Sequence, residues 1–226
     1  MLTSIAENLW HVQYVFKVRG VPASSRMTVL RLANGALWIH SPVPIDTDTK
    51  KALDALGEVR FIVAPSKVHH TFLAEFAAHF PTAAIYGAPG LAQMRPDLTS
   101  LQPLTSEPGD WAPELVYLLF QGIPLVNETI WFHPSSKTLI VTDLCQWCQG
   151  DLPWKARLWV YLSGVRKRLS VPITMRVAVR DKEAAAASAE RLLQWPVRRI
   201  VMAHNSIIEA DAHAHLERAL GRFTGR

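Results

Sequence analysis

Apolar residues follow two rhythms along the chain. Short runs rich in β-branched and aromatic residues occupy the first forty positions: "NLWHVQYVF" (8–16), "RMTVLRL" (26–32) and "ALWIHSPV" (36–43). Such runs predict strands, punctuated by Gly20, Pro22 and the hairpin signal Asn34-Gly35. Asp46 to Leu56 then reads as a helix, with an acidic start and Gly57 as its stop. "VRFIVAP" (59–65) predicts a buried strand and 69–80 an amphipathic helix. "AAIYGAP" (83–89) predicts a strand, followed by a short helix from Gly90.

The second half repeats the theme. "ELVYLLFQG" (114–122), "ETIWFHP" (128–134) and "TLIVTDL" (138–144) predict three strands, with "HPSSK" as the turn between the last two. A helical stretch begins near Lys155 and is interrupted by Pro172. "DKEAAAASAERLLQW" (181–195) is a strong helix by propensity. "RRIVMAH" (198–204) predicts a last buried strand, and 206–220 a closing helix with Ser206 as its N-cap. Each half is a strand meander followed by strands alternating with helices, and no low-complexity linker separates them. The economical reading is one α/β domain over residues 1–226, with two mixed sheets flanked by helices.

Composition changes this picture little. With 226 residues, 49% hydrophobic and 19% charged, the chain can bury a sizeable core. Eight tryptophans are a generous supply for lining a cleft. A net charge of +5 permits an anionic small-molecule substrate. No glycine-rich phosphate loop, serine elbow or nucleic-acid-binding motif is present, so no nucleic-acid partner is expected. No apolar run has the length of a membrane span, and "MLTSIAENLWHVQ" lacks the order of a signal peptide. The only cysteines are Cys145 and Cys148, so a disulfide framework is absent. The expectation is a cytoplasmic protein without a membrane partner.

Candidate chemistry sits at strand ends. Strand 59–65 leads to His69 and His70, strand 138–144 carries Asp143, and strand 198–204 ends on His204. "LIVTDL" and "RIVMAH" share one form: apolar residues, then one metal-capable side chain. Taken singly, each reads as a cap or a hydrogen-bonding residue. Together, at the strand ends where α/β proteins build sites, they also fit a metal centre. The residues by themselves leave both readings open.

The order of these stretches resembles the metallo-β-lactamase superfamily, a four-layer αββα fold of metal-dependent hydrolases. "APSKVHHTFLAEF", "NETIWFHPSSKTLIVTDL" and "RRIVMAHN" more closely resemble an uncharacterised family of its divergent members. The superfamily's first motif is H-x-H-x-D-H. Aligned on its last histidine, this chain has Pro65, Lys67, His69 and His70 at those four positions. The third histidine ligand has no counterpart in "GIPLVNET", whereas the bridging aspartate matches Asp143 and the final histidine His204. The resemblance therefore implies that one of two metal positions is lost. His69, His70, Asp143 and His204 are left to hold a single divalent ion: Zn²⁺, with Fe²⁺ or Mn²⁺ as alternatives. Lys67, at a vacated ligand position, would replace the missing metal's charge. Asp143, Glu128 and Lys67 are the candidate catalytic residues, with Glu128 as general base or as a partner orienting the ligands. A solvent-exposed strand glutamate is the plain alternative.

Other residues carry weaker signals. His40 ends a strand where the superfamily often has aspartate, and either lines the cleft or makes a core hydrogen bond. His133 reads as structural. Cys145 and Cys148 have C-x-x-C spacing without a thioredoxin-like context. His213 and His215 are two residues apart and cannot share a helix face; His11 and His79 have no evident role. Lys155, Arg157 and the run Arg166-Lys167-Arg168 form either a solvated helix face or a reader of an anionic group. The leading expectation is a hydrolase in which one metal activates water. The alternatives are a catalytically silent protein of this fold that binds a ligand or partner, and iron-based redox chemistry.

Overall fold

A computed structural model describes residues 1–18, 20–105, 109–112 and 114–225. The chain divides into two compact units, residues 1–14 with 26–115, and residues 15–25 with 116–226.

A seven-stranded sheet runs in chain order: β1 (Thr3–Ala6), β2 (Leu9–Val18), β3 (Val21–Arg31), β4 (Leu37–His40), β5 (Val59–Ala64), β6 (Ala84–Gly87) and β7 (Leu101–Pro103). The β3–β4 pair is antiparallel, and the pairs from β4 to β7 are parallel. Parallel pairing requires crossovers. They are supplied by α1 (Thr47–Leu56), α2 (Leu73–Ala78) and α3 (Leu91–Met94). Asp46 caps α1 by accepting from the Thr49 amide, as the acidic start predicts. The turn at Asn34-Gly35 is longer than two residues, because Leu32 and Ala36 leave the ladder to close it by their own backbone bond. The core of this unit is aliphatic and aromatic, with Leu37, Ile39, Ile62, Leu73 and Phe76 fully buried.

The second unit holds a five-stranded sheet in the order β12-β11-β10-β9-β8. Its strands are β8 (Val116–Leu119), β9 (Thr129–His133), β10 (Thr138–Val141), β11 (Arg199–Met202) and β12 (Ile207–Ile208). Only β10 and β11 pair in parallel. Their crossover carries α4 (Trp154–Leu162), α5 (Ile173–Val177) and α6 (Lys182–Leu193), and α7 (Ala212–Thr224) closes the chain. This unit's core joins Ile130, Leu139, Ile200 and Met202 to Ala185, Ala189, Leu216 and Leu220 of α6 and α7.

Three predicted elements shift. The helix expected over 69–80 shrinks to α2, because 66–70 is held as a loop by side-chain bonds described below. The strand expected to reach Leu144 stops at Val141, because a buried carboxylate takes the next three amides. The closing helix starts at Ala212 rather than after Ser206. Ile207 and Ile208 pair with Val201 and Ile200 as β12 instead, the state their β-branched side chains favour. Among the described residues, no helix is long and apolar enough to cross a membrane.

Candidate metal centre

In the first unit, β5 runs buried to Ala64 and the chain then turns through Pro65 and Ser66. Ser66 is fully buried, and its Oγ accepts from the amides of Val68 (3.3 Å) and His69 (3.0 Å). This bond pattern competes with helix and holds the loop open. His69 Nδ1 lies 2.9 Å from Ser41 Oγ, just beyond the end of β4. A hydroxyl on Nδ1 orients the ring.

His70 points to a different partner. Its Nδ1 lies 3.2 Å from Arg95 Nη1, and its carbonyl accepts from the same guanidinium. Arg95 is itself paired with both carboxylate oxygens of Asp97. Burial and then the Arg95 charge lower the His70 pKa, so the ring is neutral. Since guanidinium can only donate, Nδ1 accepts and Nε2 carries the proton. That tautomer offers no lone pair to a metal. Lys67 lies across Gly90, whose φ is +86°; a Cβ there would fall 2.6 Å from Lys67 Cε. His40 is buried with its ring stacked on Trp38, and its Nε2 has no hydrogen-bond partner among the described residues. Burial first, and His69 second, lower its pKa to about 3.

In the second unit the strand ends are more tightly organised. Glu128, immediately before β9, is buried. It accepts from the amides of Thr142 (2.5 Å), Asp143 (3.0 Å) and Leu144 (2.7 Å). It is therefore no solvent-exposed strand glutamate: both oxygens are engaged with the backbone that carries Asp143. Burial and the Asp143 charge raise its pKa to about 7, against the pull of the bonds from Thr142 and Asp143. Asp143 Oδ1 accepts from Gln146 Nε2 at 2.9 Å and faces His204 Nε2 at 3.2 Å. His204 Nδ1 lies 2.6 Å from the carbonyl of Ser24. A carbonyl can only accept, so Nδ1 carries the proton. In the neutral ring, the Nε2 lone pair then faces a carboxylate oxygen. Two acceptors at that distance require a cation between them or a second proton on the ring. Burial lowers the His204 pKa, but the Asp143 bond and charge and the Ser24 carbonyl outweigh it, and the net shift is upward. The donor set thus fits a divalent metal, with one nitrogen and one oxygen converging and the opposite ring nitrogen tied to backbone, as metal-binding histidines require.

Asn205, at φ +60°, locks this corner. Its amide donates to Ser24 Oγ, and its side chain bonds both the amide and the carbonyl of Gln149. A cavity of about 300 Å³ adjoins the pair, lined by Asp143, His204, Gln146, Trp159 and Ser163 among others. Ser163 Oγ is buried without a partner among the described residues. Cys145 and Cys148 are both free and buried, and burial pushes both thiols up, so the pair behaves as packing. His133 bonds Ser136 Oγ at 2.7 Å in its turn. Ser24, Ser41, Ser66, Arg95 and Gln146 carry no motif in the sequence. Their roles arise from contacts between distant segments; only "NSI" after His204 hints at a left-handed turn.

The model of the family described as domain of unknown function DUF4336 matches residues 6–161. The chain belongs to that family. His204 lies beyond the matched segment. No curated protein matches the sequence. Solved structures similar to it are metallo-β-lactamases. One from Pontibacter korlensis is 11% identical with a TM-score of 0.68, covering 100% of this chain and 99% of that one. One from Erythrobacter litoralis is 14% identical with a TM-score of 0.68, covering 98% and 96%. FIM-1 from Pseudomonas aeruginosa, in a mono-zinc form, is 11% identical with a TM-score of 0.66, covering 99% and 96%. This DUF4336 member is a divergent protein of the metallo-β-lactamase fold, with mixed sheets of seven and five strands.

Proposed function

We propose that the protein is a hydrolase of one domain that uses one divalent metal ion, held by Asp143 and His204, with His69 as the third ligand that the order of the sequence motifs implies. Two imidazoles with a carboxylate suit Zn²⁺. One observation carries the reading: the Nε2 of His204, its other nitrogen tied to the Ser24 carbonyl, faces Asp143 across 3.2 Å. When bound, the ion lowers the pKa of a water molecule and polarises the scissile group. Glu128 holds the Asp143 backbone in place and is a positioning residue, not the base. His70 is left out of the ligand set because Arg95 fixes its tautomer. Lys67 supplies positive charge in place of the superfamily's first metal, which limits the site to one ion. That FIM-1 has a mono-zinc form supports the compatibility of this fold with one metal.

The test is elemental analysis of protein purified without chelators, with a hydrolysis panel of esters, thioesters, lactones and amides. One metal per chain, with any turnover lost on chelation and restored by Zn²⁺, is the expected result. Two metals per chain, or turnover indifferent to chelation, would overturn it. A second reading has its own support. The upward shift of His204 lets an imidazolium–aspartate pair satisfy the site without metal, as in a silent binding protein. Absence of metal at pH values well above that pKa would favour it.

A further inference from the structure

Helix α4 buries one stripe and exposes another. Ala156, Val160 and Ser163, at i, i+4 and i+7, are buried, and Val160 packs with Cys148 and Val165 in a small satellite core. At 100° per residue, Trp154, Leu158, Tyr161 and Leu162 fall on the opposite side, and each is more than half exposed. A soluble helix normally turns charged residues outward there. Here the outward stripe is aromatic and aliphatic, with Lys155 on one flank and Arg157 on the other. Lys155 Nζ lies 5.5 Å from the Trp154 ring centroid.

The basic run lies against the same stripe. Trp154, Leu158 and Tyr161 share one surface groove with Arg157 and Arg166. Tyr161 shares a second with Arg166, Lys167 and Arg168. Helix α5, whose amide at Ile173 donates to the Ser163 carbonyl, also exposes Ile173 and Val177. Within 151–168 there are five cations and one acid, Asp151.

We infer that α4 docks on an anionic lipid surface. Tryptophan and tyrosine beside leucine suit the boundary between acyl chains and headgroups, and the flanking cations suit anionic headgroups. A second copy fits less well, because a two-fold interface would bring the two sets of cations together. The helix lies in the interface plane and spans nothing. This revises the sequence-based expectation of no membrane partner, and it does not depend on the metal. Because α4 also lines the cavity beside Asp143 through Ala156 and Trp159, docking brings that cavity close to membrane-borne molecules.

The test is flotation of the full chain with vesicles of phosphatidylcholine alone and of phosphatidylcholine with phosphatidylglycerol, read with tryptophan fluorescence. Binding to the anionic vesicles only, weakened by salt and accompanied by a blue shift, is expected. W154E/L158E should lower the partition coefficient at least about tenfold, and K167Q/R168Q about thirtyfold, from roughly a fivefold loss per basic residue. All four residues are exposed, so circular dichroism should report unchanged folds. Equal binding to neutral vesicles, no binding, or binding untouched by W154E/L158E would overturn the inference. So would a concentration-dependent dimer that W154E/L158E abolishes in the absence of vesicle binding, which would assign the face to a second copy.

Discussion

The two strand ends that carry histidines are built on different principles. In the first unit the loop after β5 meets two cations, Lys67 and Arg95. Arg95 occupies His70, Lys67 crosses Gly90, and the Ser41 hydroxyl orients His69. In the second unit the loops after β10 and β11 are organised by carboxylates. Glu128 ties down three consecutive amides, Asp143 faces His204, and a carbonyl fixes that ring's proton. The contrast teaches where ligand strength resides. The half whose electrostatics favour a cation brings a nitrogen and a carboxylate oxygen together, while the other half sets positive side chains beside its histidines.

The sharpest way to break this comparison is to remove its stronger half. Asp143→Ala or His204→Ala should abolish metal retention, measured by elemental analysis after gel filtration, while His133→Ala leaves it unchanged. Equal retention in all three variants would dissolve the distinction. Next in size is Glu128→Ala. Two buried amides and one half-buried amide lose their partner, and at about 1–3 kcal/mol for each buried unsatisfied group the loss should exceed about 2 kcal/mol in denaturant melts. Metal affinity should fall about 10–100-fold with it, as expected for a partner that orients a ligand.

A pH effect separates the halves further. His40 has its pKa lowered to about 3 by burial and by His69. Its folded value lies below the unfolded one, so the stability is present above about pH 6.5 and is lost as pH falls, when only the unfolded chain takes up the proton. Between neutrality and pH 5 that amounts to about 2 kcal/mol. His40→Asn should be less stable at neutral pH and should flatten the decline. A slope unchanged in the variant would mean that another group carries it. Metal-free His204 runs the opposite way, since its pKa is raised: its pairing with Asp143 stabilises below about pH 6.5 and is lost as pH rises through the shifted value. The smallest effects belong to the first loop. Ser41→Ala should weaken metal binding about tenfold by freeing the His69 ring, and His70→Ala should change it less than about twofold. A loss at His70 as large as at His204 would restore it to the ligand set.

Much of this was legible along the chain, because the signals are local. The buried runs before His69, Asp143 and His204 declare themselves through β-branched residues, and the acidic residues Asp46 and Asp181 mark α1 and α6 by accepting from amides three positions on. Short runs of β-branched and other apolar residues mark strands because they suit a pleated surface that is buried in the core. What the tertiary structure alone decided is the fate of each polar atom. Glu128 and Asp143 are fifteen positions apart, His70 and Arg95 twenty-five, and His204 and Ser24 one hundred and eighty. A hydrogen bond depends on angle and distance at ångström scale, and a pattern of residue types carries neither. The sequence alone thus determined that imidazoles and carboxylates stand at strand ends. Only the folded chain decided that one histidine turns to an aspartate, that another accepts from a guanidinium, and that a glutamate faces inward to hold the aspartate's backbone, because each outcome depends on which distant donor or acceptor the sheets bring alongside.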